Sequence, residues 1–278
     1  MSGRLPDFVV IGTMKSGTTS LYTWLRRHPG ARLPSMKEPH FFSRDEVWER
    51  GTSWYCSLFD DIPADVVTGE LSVSYTSPEH ATLAADRLLD TVPDARLVCV
   101  LRNPADRIRS HYVHELRRGR ERRPFLEAIS DPSSPYVATS EYAQCLEPWV
   151  RRSAPEQLLV LTLDQLGTQD DAGWDQVQHH LGLVAAPRTL PVQNKGREKS
   201  QFTPMMLWMH DRRLTRHLMR APRPLRQAGR ALLLRRNPDY LDTVEDAWAE
   251  PLPDRVQSRL AHDRQALLTL LHRDGLPW

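Results

Sequence analysis

A lysine and several hydroxyl-bearing residues occupy a short loop between an apolar run and a helix-like segment. Residues 13–19 read Thr-Met-Lys-Ser-Gly-Thr-Thr and follow the apolar run 8–12. The first amides of a helix point outward, and the helix dipole favours an anion beside them. A lysine adds a mobile positive charge, and hydroxyls add hydrogen-bond donors. This order predicts a phosphate-binding loop, whose residues are Lys15, Ser16, Gly17, Thr18 and Thr19.

The position of Lys15 separates this loop from that of nucleoside triphosphatases. In those proteins the lysine follows the last glycine and precedes a hydroxyl that binds magnesium. Here Lys15 comes first and Ser-Gly-Thr-Thr follows it. The loop resembles the 5′-phosphosulfate-binding loop of sulfotransferases that use 3′-phosphoadenosine 5′-phosphosulfate (PAPS). An ordinary strand–turn–helix unit that carries a lysine is the alternative interpretation.

A second segment joins Arg102 to a well-marked helix start. An apolar run precedes Arg102, and an Asn-Pro pair follows it as N-cap and first helical residue. Arg102 and Ser110 can then present donors from adjacent elements to one phosphate. The segment resembles the 3′-phosphate-binding segment of the same sulfotransferases. A plain capped helix with solvated arginines is the alternative, and we expect Arg107 and Arg109 to be solvated.

A basic loop lies later in the chain, where Lys195, Gly196 and Arg197 follow one another in a polar stretch. Glycine lets the backbone approach an anion closely, and the flanking cations supply charge. The loop resembles the Lys-Gly-Arg loop that closes over PAPS in heparan-sulfate-type sulfotransferases. A merely solvated basic loop is the alternative.

The segment Lys-Glu-Pro-His-Phe-Phe at 37–42 resembles the run that carries the catalytic carboxylate in the heparan-sulfate-type enzymes. Sulfonate transfer requires removal of the acceptor proton, alignment of the acceptor oxygen and neutralisation of the leaving phosphate. The resemblance makes Glu38 the base, with His40 as the alternative base or an acceptor-positioning donor. Lys15 is then the group that neutralises the leaving oxygen, and Lys37 an acceptor-binding residue. An ordinary surface Glu38 beside two core phenylalanines is the alternative.

Glu70 and Ser72 follow a strand and resemble the family's Glu-Lys-[Ser/Thr] segment near the acceptor. We expect both to bind the acceptor, and Glu70 can share the role of base. Leu71 stands where the glycan enzymes carry a lysine. The missing cation favours a less charged acceptor over an anionic polysaccharide.

Short apolar runs alternate with helical segments along the chain, which predicts an α/β fold. The expected architecture is a P-loop-like, doubly wound parallel sheet flanked by helices, with ligands at the carboxyl ends of the strands. A single domain, 1–278, would end in a helical, basic portion from about 201 to 278. The predicted strands are 8–11, 66–69, 96–101 and 158–163, and the predicted helices are 78–89, 104–118 and 171–181.

Composition excludes few classes of protein. The 278 residues carry a formal net charge of +2 and three cysteines, Cys56, Cys99 and Cys145, without metal-ligand spacing. We expect a cytoplasmic protein without a signal peptide or transmembrane segment. The segment 211–236 is rich in arginine and predicts a solvated amphipathic helix. Docking of an acidic carrier protein or an anionic membrane surface is the alternative for that segment.

The resemblance implies a bacterial enzyme that transfers sulfonate from PAPS, releases adenosine 3′,5′-bisphosphate and requires no metal. Its acceptor would be a small molecule such as a secondary metabolite, a lipid or a glycan. Two other functions stay open. A P-loop kinase would bind ATP with magnesium. A non-enzymatic arginine-rich nucleic-acid binder would show no preference for a 3′-phosphorylated nucleotide and a steep salt dependence.

Overall fold

The computed structural model describes residues 3–168, 170–188 and 242–278 with their side chains. Residues 201–202, 234–235 and 238–241 are described as backbone alone. Two compact units divide the chain. The first comprises Met1–Pro104, Ala138–Asn194 and Ser258–Trp278, and the second comprises Ala105–Val137 and Lys195–Gln257.

A five-stranded parallel sheet forms the centre of the first unit, with strand order β2-β3-β1-β4-β5. Its central strand pairs Val10 with Leu71 on one side and with Val98 on the other. Because the strands are parallel, the loops after them share one edge of the sheet. The strands are β1 (Phe8–Gly12), β2 (Ala31–Arg32), β3 (Val67–Leu71), β4 (Arg96–Leu101) and β5 (Leu158–Thr162).

Alternate residues of β1 belong to two different hydrophobic clusters, so both faces of the sheet are covered. Val9 lies in a cluster with Leu88 and Trp149. Val10 lies in a second cluster with Leu21 and Trp174. Burial on both faces explains why β1, β4 and β5 read as nearly continuous apolar runs rather than as alternating ones. The predicted doubly wound α/β architecture is confirmed.

Helices cover these two faces of the sheet in the first unit, and helices also make up most of the described part of the second unit. They are α1 (Thr18–Leu25), α2 (Asp45–Trp48), α3 (Gly51–Ser57), α4 (Ala81–Thr91), α5 (Pro104–Arg117), α6 (Phe125–Ser130), α7 (Pro135–Ala138), α8 (Tyr142–Arg152), α9 (Leu163–Gly167), α10 (Ala172–Leu181), α11 (Pro238–Ala249) and α12 (Asp254–Leu270). A 3-10 helix spans Val73–Thr76. Across the part of the chain described here, no helix is long and apolar enough to cross a membrane.

The elements differ from those predicted in three places. The helix expected from residue 78 begins at Ala81, because the Ser77 hydroxyl donates to Ser74 O instead of capping it. The two-residue strand β2 was missed. The tail contains a short antiparallel pair, β6 (Gln201–Phe202) with β7 (Leu234–Arg235), where only helices were expected.

The arginines of α5 are also not solvated as expected. Arg107 is only 1 % exposed, and its guanidinium donates to Tyr136 O at 3.4 Å. Arg109 donates to the carbonyls of Ala247 and Glu250 at 3.1 and 2.9 Å. Both side chains satisfy carbonyl groups inside the second unit, which amino-acid type alone does not reveal.

Candidate active site

Lys15 and Gly17 both adopt the left-handed backbone conformation in the loop after β1. The φ angle is 71° at Lys15 and 87° at Gly17. Gly17 is the N-cap of α1, so the chain enters that helix through a tight turn. A lysine rarely adopts such a φ, and residues held in this way cluster at functional sites. The loop thus carries Lys15 beside the positive end of α1.

Gly17 is required by a close neighbour as well as by its φ. A Cβ atom at this position would lie 2.5 Å from Cδ1 of Leu163, the first residue of α9. A side chain at Gly17 would therefore require the Leu163 side chain or the loop to shift. The loop after β1 and the segment after β5 fit against each other at the same edge of the sheet.

Thr13 fastens this loop to the end of β4. Its backbone N–H and its hydroxyl both donate to Val100 O at 2.9 Å. The Ser16 hydroxyl lies 2.5 Å from Thr13 Oγ1. Since Thr13 uses its own hydrogen on the carbonyl, Ser16 is the donor of that bond. The Ser16 side chain is fully buried, and its contact with a phosphate stays a prediction.

Glu38 and His40 lie in one loop and both have left-handed backbones, with φ of 55° and 56°. Glu38 Oε1 is 3.2 Å from Lys37 Nζ, and Glu38 Oε2 is 3.7 Å from His40 Nε2. The ammonium of Lys37 lies 5.3 Å from the ring centre of Tyr22 in α1. The loop at 37–40 therefore contacts the helix whose first turn follows Lys15.

A chain of hydrogen bonds connects His40 to two serines. The Ser43 hydroxyl donates to His40 O at 3.3 Å, and the hydroxyls of Ser43 and Ser74 are 2.7 Å apart. The His40 Nδ1 atom is 2.6 Å from Ser74 Oγ. Ser74 therefore holds one ring nitrogen of His40, and the other, Nε2, faces Glu38.

The imidazole of His40 is neutral near pH 7. Burial and the charge of Arg44 together lower the pKa of His40 to about 4, although the charge of Glu38 raises it. The 3.7 Å approach of His40 Nε2 to Glu38 Oε2 is therefore not an ion pair at neutral pH. With its proton on Nε2, the neutral His40 places a hydrogen-bond donor beside the carboxylate of Glu38.

Glu70 lies beneath the loop at 37–40 and is only 1 % exposed. Ser72 Oγ donates to Glu70 Oε2 at 2.9 Å, and Tyr75 OH donates to Glu70 Oε1 at 2.7 Å. Ser72 Oγ also accepts the backbone N–H of His40 at 3.1 Å. Each carboxylate oxygen of Glu70 thus has a partner inside the protein.

Burial raises the pKa of Glu70 to about 7, although the hydrogen bonds from Tyr75 and Ser72 lower it. Burial and the charge of Glu70 together raise the pKa of Tyr55 and of Tyr75 well above the usual value. Glu38 is about a quarter exposed, at 27 %. The two glutamates therefore differ. Glu70 is buried and hydrogen-bonded inside the protein, whereas Glu38 is accessible to a ligand. Acceptor binding by Glu70 and Ser72 stays a prediction.

Arg102 lies directly after β4, at the edge where the loop of Lys15 is found. Its backbone N–H donates to Tyr142 OH at 3.4 Å, and Tyr142 OH donates to Arg102 O at 2.9 Å. Ser110 lies on α5, which begins at Pro104 as predicted. Arg102 belongs to the first unit and Ser110 to the second, so their convergence on one phosphate stays a prediction.

Several sequence predictions fall outside the described residues. Lys195, Gly196 and Arg197 belong to that part of the chain, as does the arginine-rich segment 211–236. Their predicted roles as nucleotide clamp and basic amphipathic helix stay predictions. Among the described residues, no group of three or more His, Cys, Asp or Glu side chains is arranged to hold a metal ion.

The residues that connect the site internally were not predicted from the sequence. Thr13, Ser43, Ser74 and Tyr75 complete the hydrogen bonds around the candidate catalytic groups. Hydroxyl residues are common in loops, and each of Ser43, Ser74 and Thr13 has a partner 31 to 87 positions away. The bond of Tyr75 to Glu70 spans five positions and those of Thr13 and Ser43 to Ser16 and His40 span three, so these were near enough in sequence to suggest a local pairing.

The parallel sheet flanked by helices defines a P-loop-like α/β protein. Residues 5–203 match the model of the sulfotransferase domain family. Because the match covers well over half of the chain, the protein belongs to the sulfotransferase family. The resemblance noted from the loop at 13–19 is thereby confirmed.

Two curated relatives show the same relationship. The human bifunctional heparan sulfate N-deacetylase/N-sulfotransferase 3 is 34 % identical over 201 residues, which is 65 % of this chain and 23 % of the relative. The mouse heparan sulfate glucosamine 3-O-sulfotransferase 3B1 is 31 % identical over 191 residues, 66 % of this chain and 47 % of the relative. The alignments thus span less than half of either relative's length.

Solved structures support the fold. A sulfotransferase from Alicyclobacillus acidocaldarius superposes with a TM-score of 0.64 over 98 % of both chains, at 24 % sequence identity. At that identity the similarity concerns the architecture of the chain. The P-loop-like parallel sheet flanked by helices is accordingly the sulfotransferase fold.

Proposed function

We propose that this protein transfers a sulfonate group from PAPS to a hydroxyl group of an acceptor molecule. The observation that carries the proposal is the loop at 13–19, in which Lys15 and Gly17 take left-handed conformations at the start of α1. The donor set fits a phosphosulfate, since helix amides, a mobile ammonium and hydroxyls are what an anion of that kind needs. Membership of the sulfotransferase family supports the same assignment.

Lys15 neutralises the negative charge that develops on the leaving phosphate oxygen. The nucleotide supplies the sulfonate, whose bond to the 5′-phosphate oxygen breaks as the acceptor oxygen bonds to sulfur. The amides at the start of α1 hold the 5′-phosphate, and Arg102 with Ser110 holds the 3′-phosphate. Preorganised cations of this type act most strongly on charge that appears in the transition state.

Glu38 accepts the proton of the acceptor hydroxyl. Its carboxylate is partly exposed and lies 3.7 Å from Nε2 of His40. The acceptor hydroxyl accepts a hydrogen bond from His40 Nε2–H and gives its own proton to Glu38. Glu70 is less suited to the role of base, because it is buried and both of its oxygens accept hydrogen bonds. His40 as the base is the alternative.

A less charged acceptor fits the surroundings of Leu71. This side chain is 2 % exposed and lies in the hydrophobic cluster with Leu21 and Trp24. No cation occupies the position at which the resemblance places a lysine in glycan-sulfating enzymes. The proposed acceptor is therefore a neutral alcohol on a small molecule or lipid. The names of the relatives favour a glycan as the second candidate.

A sulfonate-transfer assay tests the proposal. Purified protein is incubated with PAPS labelled in the sulfonate group and an extract of small molecules, and products are sought by mass spectrometry. The expected result is sulfated product and adenosine 3′,5′-bisphosphate in equal amounts. Lys15→Ala serves as the inactive control. Transfer of phosphate from ATP with magnesium, or no transfer together with salt-sensitive nucleic-acid binding, would contradict the proposal.

A further inference from the structure

A buried phenol holds the backbone of Arg102 at the point where the sheet ends. The last paired residues of β4 and β5 are Leu101 and Thr162, so Arg102 is the first residue after the ladder. Both of its backbone polar groups meet Tyr142 OH, which accepts from Arg102 N at 3.4 Å and donates to Arg102 O at 2.9 Å. Tyr142 is fully buried. One oxygen thus satisfies the donor and the acceptor of the residue that carries the guanidinium.

Tyr142 is itself fixed because it is the first residue of α8. No side chain of the N-cap residue Glu141 caps this helix. The carboxylate of Asp263, which lies on α12, accepts Ala143 N at 2.9 Å instead. A carboxylate at this position also interacts favourably with the helix dipole. Asp263 therefore acts as an N-cap supplied by a helix more than one hundred positions later in the chain.

A salt bridge strengthens the same junction. Arg259 Nε and Nη2 donate to the two carboxylate oxygens of Glu141 at 2.9 and 2.7 Å, a bidentate pair. Arg259 lies one turn before Asp263 on α12, and Glu141 directly precedes Tyr142. Two contacts from α12 thus hold the first turn of α8, which fixes the phenol that holds Arg102. All of these residues belong to the first unit.

We infer that Tyr142 is a positioning residue for nucleotide recognition, and that Asp263 supports it by capping α8. The inference rests on the proposed contact between Arg102 and the 3′-phosphate. Tyr142 does not touch the nucleotide; it determines the direction in which the chain leaves β4 at Arg102. Without the hydroxyl, both of these hydrogen bonds to the Arg102 backbone are lost and Arg102 shifts. The affinity contributed by the 3′-phosphate then falls, whereas the affinity contributed by the rest of the nucleotide stays.

A comparison of two nucleotides isolates this effect. Adenosine 3′,5′-bisphosphate and adenosine 5′-monophosphate are each titrated calorimetrically into the wild-type protein and into Tyr142→Phe. We expect Tyr142→Phe to weaken binding of the bisphosphate about five- to tenfold, the equivalent of one lost hydrogen bond, and to leave the monophosphate within about twofold. A misfolded fraction lowers the number of sites for both nucleotides, so the ratio of the two dissociation constants stays informative.

Matched variants separate positioning from general loss of structure. Trp149→Phe removes another buried hydrogen bond of α8, from the indole to Tyr75 O at 3.2 Å, and should leave the ratio unchanged. Asp263→Ala should lower the preference for the bisphosphate. Asp263→Asn should restore it, because an amide oxygen also caps a helix.

The outcomes distinguish the inference from the proposed function. Arg102→Ala should abolish the preference for the bisphosphate. Suppose that Arg102→Ala abolishes this preference, but Tyr142→Phe keeps the wild-type ratio of dissociation constants or weakens the binding of both nucleotides equally. The positioning role of Tyr142 is then wrong, and the contact between Arg102 and the 3′-phosphate stands. If Arg102→Ala also keeps the wild-type ratio, the 3′-phosphate assignment fails and the inference falls with it.

Discussion

The backbone amide of His40 and the carboxylate of Glu70 meet on a single hydroxyl, that of Ser72. His40 N donates to Ser72 Oγ at 3.1 Å, and Ser72 Oγ donates to Glu70 Oε2 at 2.9 Å. Ser72 is fully buried. The buried carboxylate of Glu70 is therefore connected, through Ser72, to the loop that carries Glu38, the residue proposed to act as base.

The first prediction concerns the pH dependence of stability that Glu70 produces. Its pKa in the folded protein is about 7, above the value of 4.5 for a free side chain. A carboxyl group with a raised pKa makes a stabilising contribution to the free energy of unfolding, which is fully present below pH 4.5 and is lost as the pH rises through about 7. By pH 8 the loss is on the order of 3 kcal/mol in the free energy of unfolding. Urea unfolding of wild type and Glu70→Gln at pH 5, 6, 7 and 8 measures it.

The difference between the two proteins is the relevant quantity. His40 titrates in the opposite sense, because burial lowers its pKa, but it is present in both proteins and largely cancels. We expect wild type to lose stability relative to Glu70→Gln between pH 5 and 8. Parallel curves across that range would show that Glu70 does not titrate as proposed.

The second prediction separates the two candidate bases. Glu38→Gln should lower kcat about a hundredfold or more, because a general base contributes on the order of 10² to 10⁴ in rate. Affinity for adenosine 3′,5′-bisphosphate and the free energy of unfolding should change little, since Glu38 is partly exposed. Steady-state kinetics with a saturating acceptor gives the result.

His40→Ala is the matched variant for that measurement. With Glu38 as base and His40 as a donor that orients the hydroxyl, His40→Ala should raise KM for the acceptor more than it lowers kcat. The reverse pattern, with a near-normal Glu38→Gln and an inactive His40→Ala, would make His40 the base.

The third prediction tests the role of Lys15. Lys15→Ala should reduce kcat by roughly 10² to 10³, as when a group that stabilises transition-state charge is removed. Affinity for adenosine 3′,5′-bisphosphate should fall much less, because amides at the start of α1 still hold the 5′-phosphate. Lys37→Ala serves as a control for the loss of one nearby cation. A kcat for Lys15→Ala equal to that of wild type would remove the residue from the chemistry.

The fourth prediction tests why the loop contains Gly17. Gly17→Ala should destabilise the protein by about 1 kcal/mol or more through its positive φ, with an added steric cost against Leu163. In Gly17→Ala/Leu163→Ala the steric part should disappear while the backbone part remains. Thermal unfolding of both single variants and the double variant gives the coupling. Strictly additive effects would mean that the two residues do not contact each other as described.

Much of the fold could be predicted from local signals. Strands β1, β4 and β5 are nearly continuous apolar runs, and α10 ends at Gly182 in a left-handed cap with φ of 67°. The loop of Lys15 is contiguous in sequence, so its residues could be named directly. The start of α4 could not, because the Ser77 hydroxyl turns back to Ser74 O.

The supporting parts of the site were beyond local sequence reasoning. The residues next to Glu70 in the sequence do not show whether its side chain faces an acceptor or lies buried. Its environment is formed by Tyr75 and by the loop at 37–40. The cap that Asp263 provides to α8 joins positions 120 residues apart. Such partners become visible only when the sheet and its helices are assembled.

A structure of the protein with adenosine 3′,5′-bisphosphate tests the central claim most directly. The account predicts the 5′-phosphate at the start of α1, within hydrogen-bonding distance of the Gly17 turn and the Lys15 ammonium. It predicts the 3′-phosphate against the guanidinium of Arg102. A nucleotide with its 5′-phosphate away from Lys15, or its 3′-phosphate away from Arg102, would contradict the claim that this edge of the sheet binds both ends of the nucleotide.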